Sequence, residues 1–286
     1  MPGKNSSLIW RTSNSDTGGG TAILAVSPLV YPSKAKKEKG GAIHTVSENK
    51  KSLLIQSSID ILPNLSVRIP TVGEILEDEQ QYYSLVSSLT ATPFQYMVQL
   101  DDIGVDFTKI TDYELFMMLF PNFARTDMRL LFGETDLSDI SVCKNNQNGT
   151  FVLYSPQSDI VIDESIYEKI VRCVREINHL EKETRRPGND QAKEFRIKLE
   201  RKKQKRNANK PYEPYLEKMV VALVNRPEFK YNYEQTQRLT IYQFNRSFEQ
   251  INISINFDNT MIGVYAGTVD TSKIKDRSCL SWLPVK

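Results

Sequence analysis

The chain has 286 residues, 40% of them hydrophobic and 25% charged, with a formal net charge of +2. That is enough for one large domain or two smaller ones around a real core, in an ordinary balance for a soluble globular protein. It excludes a uniformly basic nucleic-acid coat, and no apolar run approaches the length needed to cross a bilayer.

The charge is unevenly placed. Lys182 to Lys210 holds twelve lysines and arginines against four acidic residues, leaving −6 for the remainder. A mildly acidic body therefore carries one basic segment. Cys143, Cys173 and Cys279 are odd in number and far apart, which predicts buried thiols in a reducing compartment, with the cytoplasm as the expected home.

Residues 1–51 are read as a flexible N-terminal arm. Six of the thirteen glycines fall here, and PSKAKKEKGG adds a charged tract. Such a composition buries too little apolar area to offset chain entropy. TAILAVSPLV, with Lys4 and Arg11 upstream, is short and broken by Pro28, so a cleaved signal is not expected.

Folded structure is predicted from Ser52. In SIDILPNLSVRI, Ile59 and Ile61, then Leu65, Val67 and Ile69, alternate with polar residues around a Pro63-Asn64 turn, which reads as a hairpin. TVGE at 71–74 and TDYE at 111–114 fit capping boxes, in which a threonine hydroxyl and a glutamate satisfy each other's backbone amides. Between them, Pro93 suits a first helical turn and Gly104 a left-handed stop. Three strands follow, DISVC, TFVLY and DIVID, the first two joined through Asn148-Gly149. A long helix from Glu164 carries Ile166, Ile170, Cys173, Ile177 and Leu180 on one stripe, with His179 near its C-terminal end, where the dipole favours it.

RRPGND at 185–190 breaks the chain before a basic helix, whose apolar seam is expected to be Ala192, Phe195 and Leu199. PYLEKMVVALV and TIYQFNRSFEQI are the last helices, the second opening on a Thr240–Gln243 box. The fold class is α+β, predominantly α-helical with small antiparallel β-sheet or hairpins. The expected divisions are the arm 1–51, an α+β domain 52–186, and a C-terminal helical region 187–286 with the basic helix.

Catalytic chemistry is hard to find. Only His44 and His179 exist, neither with a metal partner at ligand spacing. There is no phosphate loop, dinucleotide fingerprint or nucleophile elbow. The one acidic constellation, Asp101, Asp102 and Asp106, would suit a carboxylate-metal hydrolase, but loop aspartates are ordinarily turn formers. No catalytic, cofactor-binding or metal residue is therefore assigned, no cofactor is expected, and the chain is read as not an enzyme.

The segment KLERKKQKRNANK at 198–210 sets seven cations beside one glutamate. Its cations lie on every side of the helix, so no groove-facing stripe is defined. The link from Asn225 to Leu239 is too long for a helix-turn-helix. The expected role is docking on an acidic protein surface, with Lys193, Arg196, Arg201, Lys202, Lys203, Lys205 and Arg206 as the docking residues. Trp282 is a further candidate anchor, although an indole near a chain end more often packs into the core. The alternative is nucleic-acid binding through the basic helix 193–210, with Tyr212, Tyr215, Tyr231 and Tyr233 nearby.

LTIYQFNRSFEQINISINFDNTMIGVYAGTVDTSKIKDRSCLSWL, with TVGEILEDEQQYYSLVSSLT and FQYMVQLDDIGVDF, resembles a family of tailed-bacteriophage and prophage proteins of Gram-positive bacteria, from the virion and tail-morphogenesis module. The resemblance covers Ser52 to Leu283 and carries over no active residues. It implies a structural or assembly protein whose partners are other phage structural or assembly proteins, with homo-oligomerisation open and no membrane. It places the chain in the host cell cytoplasm during assembly, with the virion as a further location.

Overall fold

The computed structural model describes residues 29–30, 51–123, 126–135, 137–145 and 149–283. His44, most of the glycine-rich stretch and Asn148 of the expected turn pair lie outside them.

In chain order, β1 (Leu29–Val30) precedes the hairpin β2 (Ser58–Leu62) and β3 (Leu65–Arg68). The hairpin is antiparallel, with Ile59 opposite Val67 and Leu62 opposite Leu65, so Pro63-Asn64 forms its loop as the turn residues predict. Leu65 and Val67, two residues apart, are buried on one face.

Helices follow. α1 (Val72–Glu77) starts at the Thr71–Glu74 capping box and α2 (Glu79–Leu89) at Asp78, which caps Gln81. α3 (Met97–Asp102) ends before Gly104, whose φ of 74° is a left-handed stop. α4 (Asp112–Phe123) begins at the second box, Thr111 and Glu114 bonding each other's amides at 3.1 and 2.7 Å. α5 (Arg129–Phe132) is a single turn.

β4 (Ser141–Lys144), β5 (Phe151–Ser155) and β6 (Ile160–Ile162) form the predicted antiparallel ladder, with Cys143 opposite Val152 and Leu153 opposite Ile162. β1 joins its edge in parallel, Leu29 beside Cys143. The class is thus α+β and mostly helical.

α6 (Glu164–Asn178) is capped by the Asp163 carboxylate and ends on left-handed His179. Its buried stripe is Tyr167, Ile170, Val171, Val174, Ile177 and Asn178, which corrects the predicted one. Ile170 and Ile177 belong to it, Ile166 and Cys173 are only half-buried, and Leu180 is exposed. The reason is that neighbours sit on the tyrosine side. The Tyr167 ring stacks on Phe116 at 4.6 Å and its hydroxyl donates to the Leu89 carbonyl, while Tyr82 donates to Asn178 at 2.9 Å.

The basic helix is α7 (Asp190–Asn207). α8 (Leu216–Val224), the short α9 (Tyr233–Arg238) and α10 (Ile241–Tyr265) follow. α9 was not foreseen, and its Asn232–Gln235 box in NYEQ was the local signal for it. Beyond α10, residues 268–283 fold back along the helix through two single-turn 3-10 helices, Thr271–Lys273 and Arg277–Leu280.

The main core runs from Leu53 to Ile251 and includes the hairpin, α2, α6, α8 and the first half of α10. A satellite core contains Ala91, Met97, Val98, Leu100, Phe107 and Leu115, together with Ile197 from α7. Among the described residues no helix is long and apolar enough to cross a membrane.

Candidate functional site

α7 starts where its sequence says it should. Asn189 is extended, and its side chain accepts the Ala192 amide at 2.8 Å, satisfying an otherwise unpartnered donor of the first turn. From there Lys193, Ile197 and Arg201 recur every fourth residue, which keeps them on one face. The three make successive contacts with the segment that contains α3.

Lys193 Nζ lies 3.1 Å from Asp106 Oδ2. Ile197, 8% exposed, closes the satellite core. Arg201 reaches Asp102 Oδ1 at 2.5 Å and Asp101 Oδ2 at 2.8 Å. Asp106 is held more elaborately. Its other oxygen accepts the Thr108 hydroxyl at 2.7 Å and the Thr108 amide at 3.0 Å. Those two bonds, followed by the Lys193 ammonium, pull its carboxyl down to a pKa of about 2. The same pairing raises Lys193, and Asp102 with Asp101 raises Arg201.

One expectation changes. Ala192, Phe195 and Leu199 do not form the inward seam: Phe195 is 62% exposed and Leu199 48%, both on the outer side. In a helix with eight cations among eighteen residues, the positions of the facing carboxylates decide which side turns inward. Asp101, Asp102 and Asp106 are the carboxylates in question, and all three are engaged by Arg201 and Lys193. Among the described residues no group of three His, Cys, Asp or Glu side chains is placed to hold a metal ion.

The predicted docking residues thus separate. Lys193 and Arg201 tie the helix to its own chain. Lys203 lies 3.6 Å from Glu200 one turn back. Arg196, Lys198, Lys202, Lys205 and Arg206 are exposed and make no ion pair among the described residues. Trp282 is not a core residue. It is 57% exposed, and its carbonyl accepts the Gln250 side-chain amide at 2.7 Å. Tyr212, Tyr215, Tyr231 and Tyr233 are exposed, and Tyr212 donates to Glu79 at 2.8 Å.

Glu79 was missed by sequence reasoning. It is 7% exposed, yet belongs to the first turn of α2. One carboxylate oxygen accepts the Tyr215 amide at 2.6 Å and the Leu216 amide at 2.9 Å, and the other accepts the Glu217 amide at 3.3 Å. It therefore caps α8, whose own N-cap residue has no side-chain bond. Burial alone would raise its pKa, but the bonds from Leu216, Tyr212, Tyr215 and Glu217 hold it below the ordinary value of 4.5. Burial and the Glu79 bond push the Tyr212 hydroxyl up to about 12.

No curated protein and no solved structure matches the chain. Residues 202–284, from the last turns of α7 to the returning C-terminal segment, match the family model described as the YomV second domain, and the chain is similar over that stretch to a protein family of phage or prophage type.

Proposed function

We propose that this phage-associated chain is a non-enzymatic structural or assembly protein acting in tail morphogenesis. It works by being held in place through protein–protein contacts, with the outer side of α7 as its docking face. The observation that carries the proposal is the division of the basic helix. Two cations secure it to its own body, and Arg196, Lys198, Lys202, Lys205 and Arg206 remain unpaired among the described residues on the solvent side. The match of residues 202–284 to a phage-type family supports the setting. Mass spectrometry of purified particles, with pull-downs from infected cells across a salt series, tests it. Retention on a phage component that weakens as salt rises is expected. A monomer absent from particles and bound to no phage component at low salt ends the reading.

The second reading, nucleic-acid binding, draws on Phe195 lying exposed among the same cations. Glutamine at Arg196, Lys198, Lys202, Lys205 and Arg206 would then abolish retention of DNA or RNA in a gel shift and flatten its salt slope. Arg201 is spared in that variant because its loss would loosen the helix. Unchanged retention removes the reading.

A further inference from the structure

The outer side of α7 has a more specific pattern than its charge. Phe195, Leu199, Lys202 and Arg206 are spaced four, three and four residues apart, the repeat of a helix face that meets another helix. In that register Phe195 and Lys202 hold one inner position, and Leu199 and Arg206 the other. The flanking positions on one side are Arg196 and Lys203, and on the other Lys198 and Lys205. All four flanking positions beside these residues are thus cations, and nearer the helix start the Lys198 and Lys205 flank continues with Gln191. Phe195 and Leu199, adjacent on this line, are exposed because the opposite face, with Lys193, Ile197 and Arg201, already packs on the chain's own body.

We infer that this face takes an acidic amphipathic helix of another protein, its apolar stripe laid along Phe195 and Leu199 and its carboxylates reaching the cations on both flanks. The inference rests on the docking role proposed above and names the partner's chemistry. Charge decides the occupant. A second copy presenting the same face would set cation against cation along Arg196, Lys198, Lys203 and Lys205, so self-pairing there is opposed. Duplex DNA would be served by the cations but has no use for a leucine at the centre of the line, since base stacking needs a flat ring. With two apolar side chains among the four inner positions, the contact is weak and reversible, and it forms fastest at low salt.

The test uses the full chain and a fluorescein-labelled synthetic helix with leucine at the inner positions and glutamate at the flanks. A scrambled peptide of the same composition, duplex DNA and phosphatidylserine vesicles serve as comparisons, all followed by fluorescence anisotropy or sedimentation. The amphipathic helix is expected to bind about tenfold or more tightly than the scramble. F195S/L199S should lose about that factor with every cation in place. R196Q/K198Q/K203Q/K205Q should lose binding together with its salt dependence. These positions face solvent, so circular dichroism and melting temperature should match the parent chain. Equal binding of the scramble, or indifference to F195S/L199S, overturns the inference. So does F195S/L199S impairing binding to DNA or vesicles and sparing the peptide. If the peptide fails while the protein is still found in particles and is released by salt, the inference falls and the docking role stands. Absence from particles and phage components removes the docking role, whatever the peptide does.

Discussion

At the scale of single residues, Glu79 has the clearest energetic signature. One buried carboxylate takes four hydrogen bonds, three of them from backbone amides at the start of α8. A buried charge is tolerable when its lone pairs are filled in this way, and removing it would leave those amides unsatisfied. Glu79→Gln is therefore expected to cost about 1–3 kcal/mol in urea unfolding at neutral pH. The pH dependence follows from the depressed pKa. The contribution is complete above the ordinary value of 4.5 and is lost as pH falls through the lower folded-state value. The gap between the parent chain and Glu79→Gln should accordingly be widest near neutrality and narrow in acid. A gap that persists unchanged at acid pH would contradict this account.

At the scale of elements, two capped helix starts lean on each other. Thr71 and Thr240 form an isolated antiparallel bridge: the Val72 amide donates to the Leu239 carbonyl and the Ile241 amide to the Pro70 carbonyl, each at 2.8 Å. Each threonine also anchors its own capping box, so α1 and α10 begin at one shared point. Gly73 lies beneath it, where an added Cβ would sit 3.1 Å from the Gln237 carbonyl oxygen. Thr240→Ala is expected to cost about 1 kcal/mol. With Thr71→Ala it should show measurable coupling and not simple additivity, because the caps share a contact.

α7 presents the opposite case. One buried isoleucine and solvent-screened ion pairs hold it, between the irregular segments 180–189 and 208–215. Hydrogen exchange in α7 should be faster than in α6 and should quicken with salt. Ile197→Ala should quicken it further while barely moving the global melting temperature, since the helix can lift away before the main core opens. Because Arg201 and Lys193 already engage Asp101, Asp102 and Asp106, magnesium, manganese and calcium should leave the melting temperature unchanged.

At the scale of the molecule, α10 is half core and half projection. Its 25 residues bury Ile241, Phe244 and Ile251, and none of Asn252 to Tyr265 is fully buried. The returning segment covers part of this projection. The Thr268 and Val269 amides donate to the Gly263 carbonyl, and a Cβ at Gly263 would meet the Val269 side chain at 2.6 Å. Gly263 thus permits close approach, whereas Gly267, with φ of 72°, turns the chain out of the helix. Ending the chain after Gly267 is expected to fray the second half of α10 and lower the helix signal in circular dichroism. The midpoint of the main unfolding transition should move little. A large fall in that midpoint would mean that the returning segment supports the core.

The local elements were legible in the sequence. All three threonine capping boxes, the hairpin around Pro63-Asn64, the stop at Gly104 and the three central strands depend on residues a few positions apart, and short-range geometry determines them. The tertiary structure decided which side of α7 turns inward, which carboxylate caps α8, and that α1 and α10 share a starting point. Glu79 meets Leu216, and Arg201 meets Asp101, across more than ninety residues of chain. Apolar spacing orients a helix only when apolar contacts dominate its docking. In α7, with a single buried isoleucine, the orientation came from three aspartates that its own stretch of sequence does not contain.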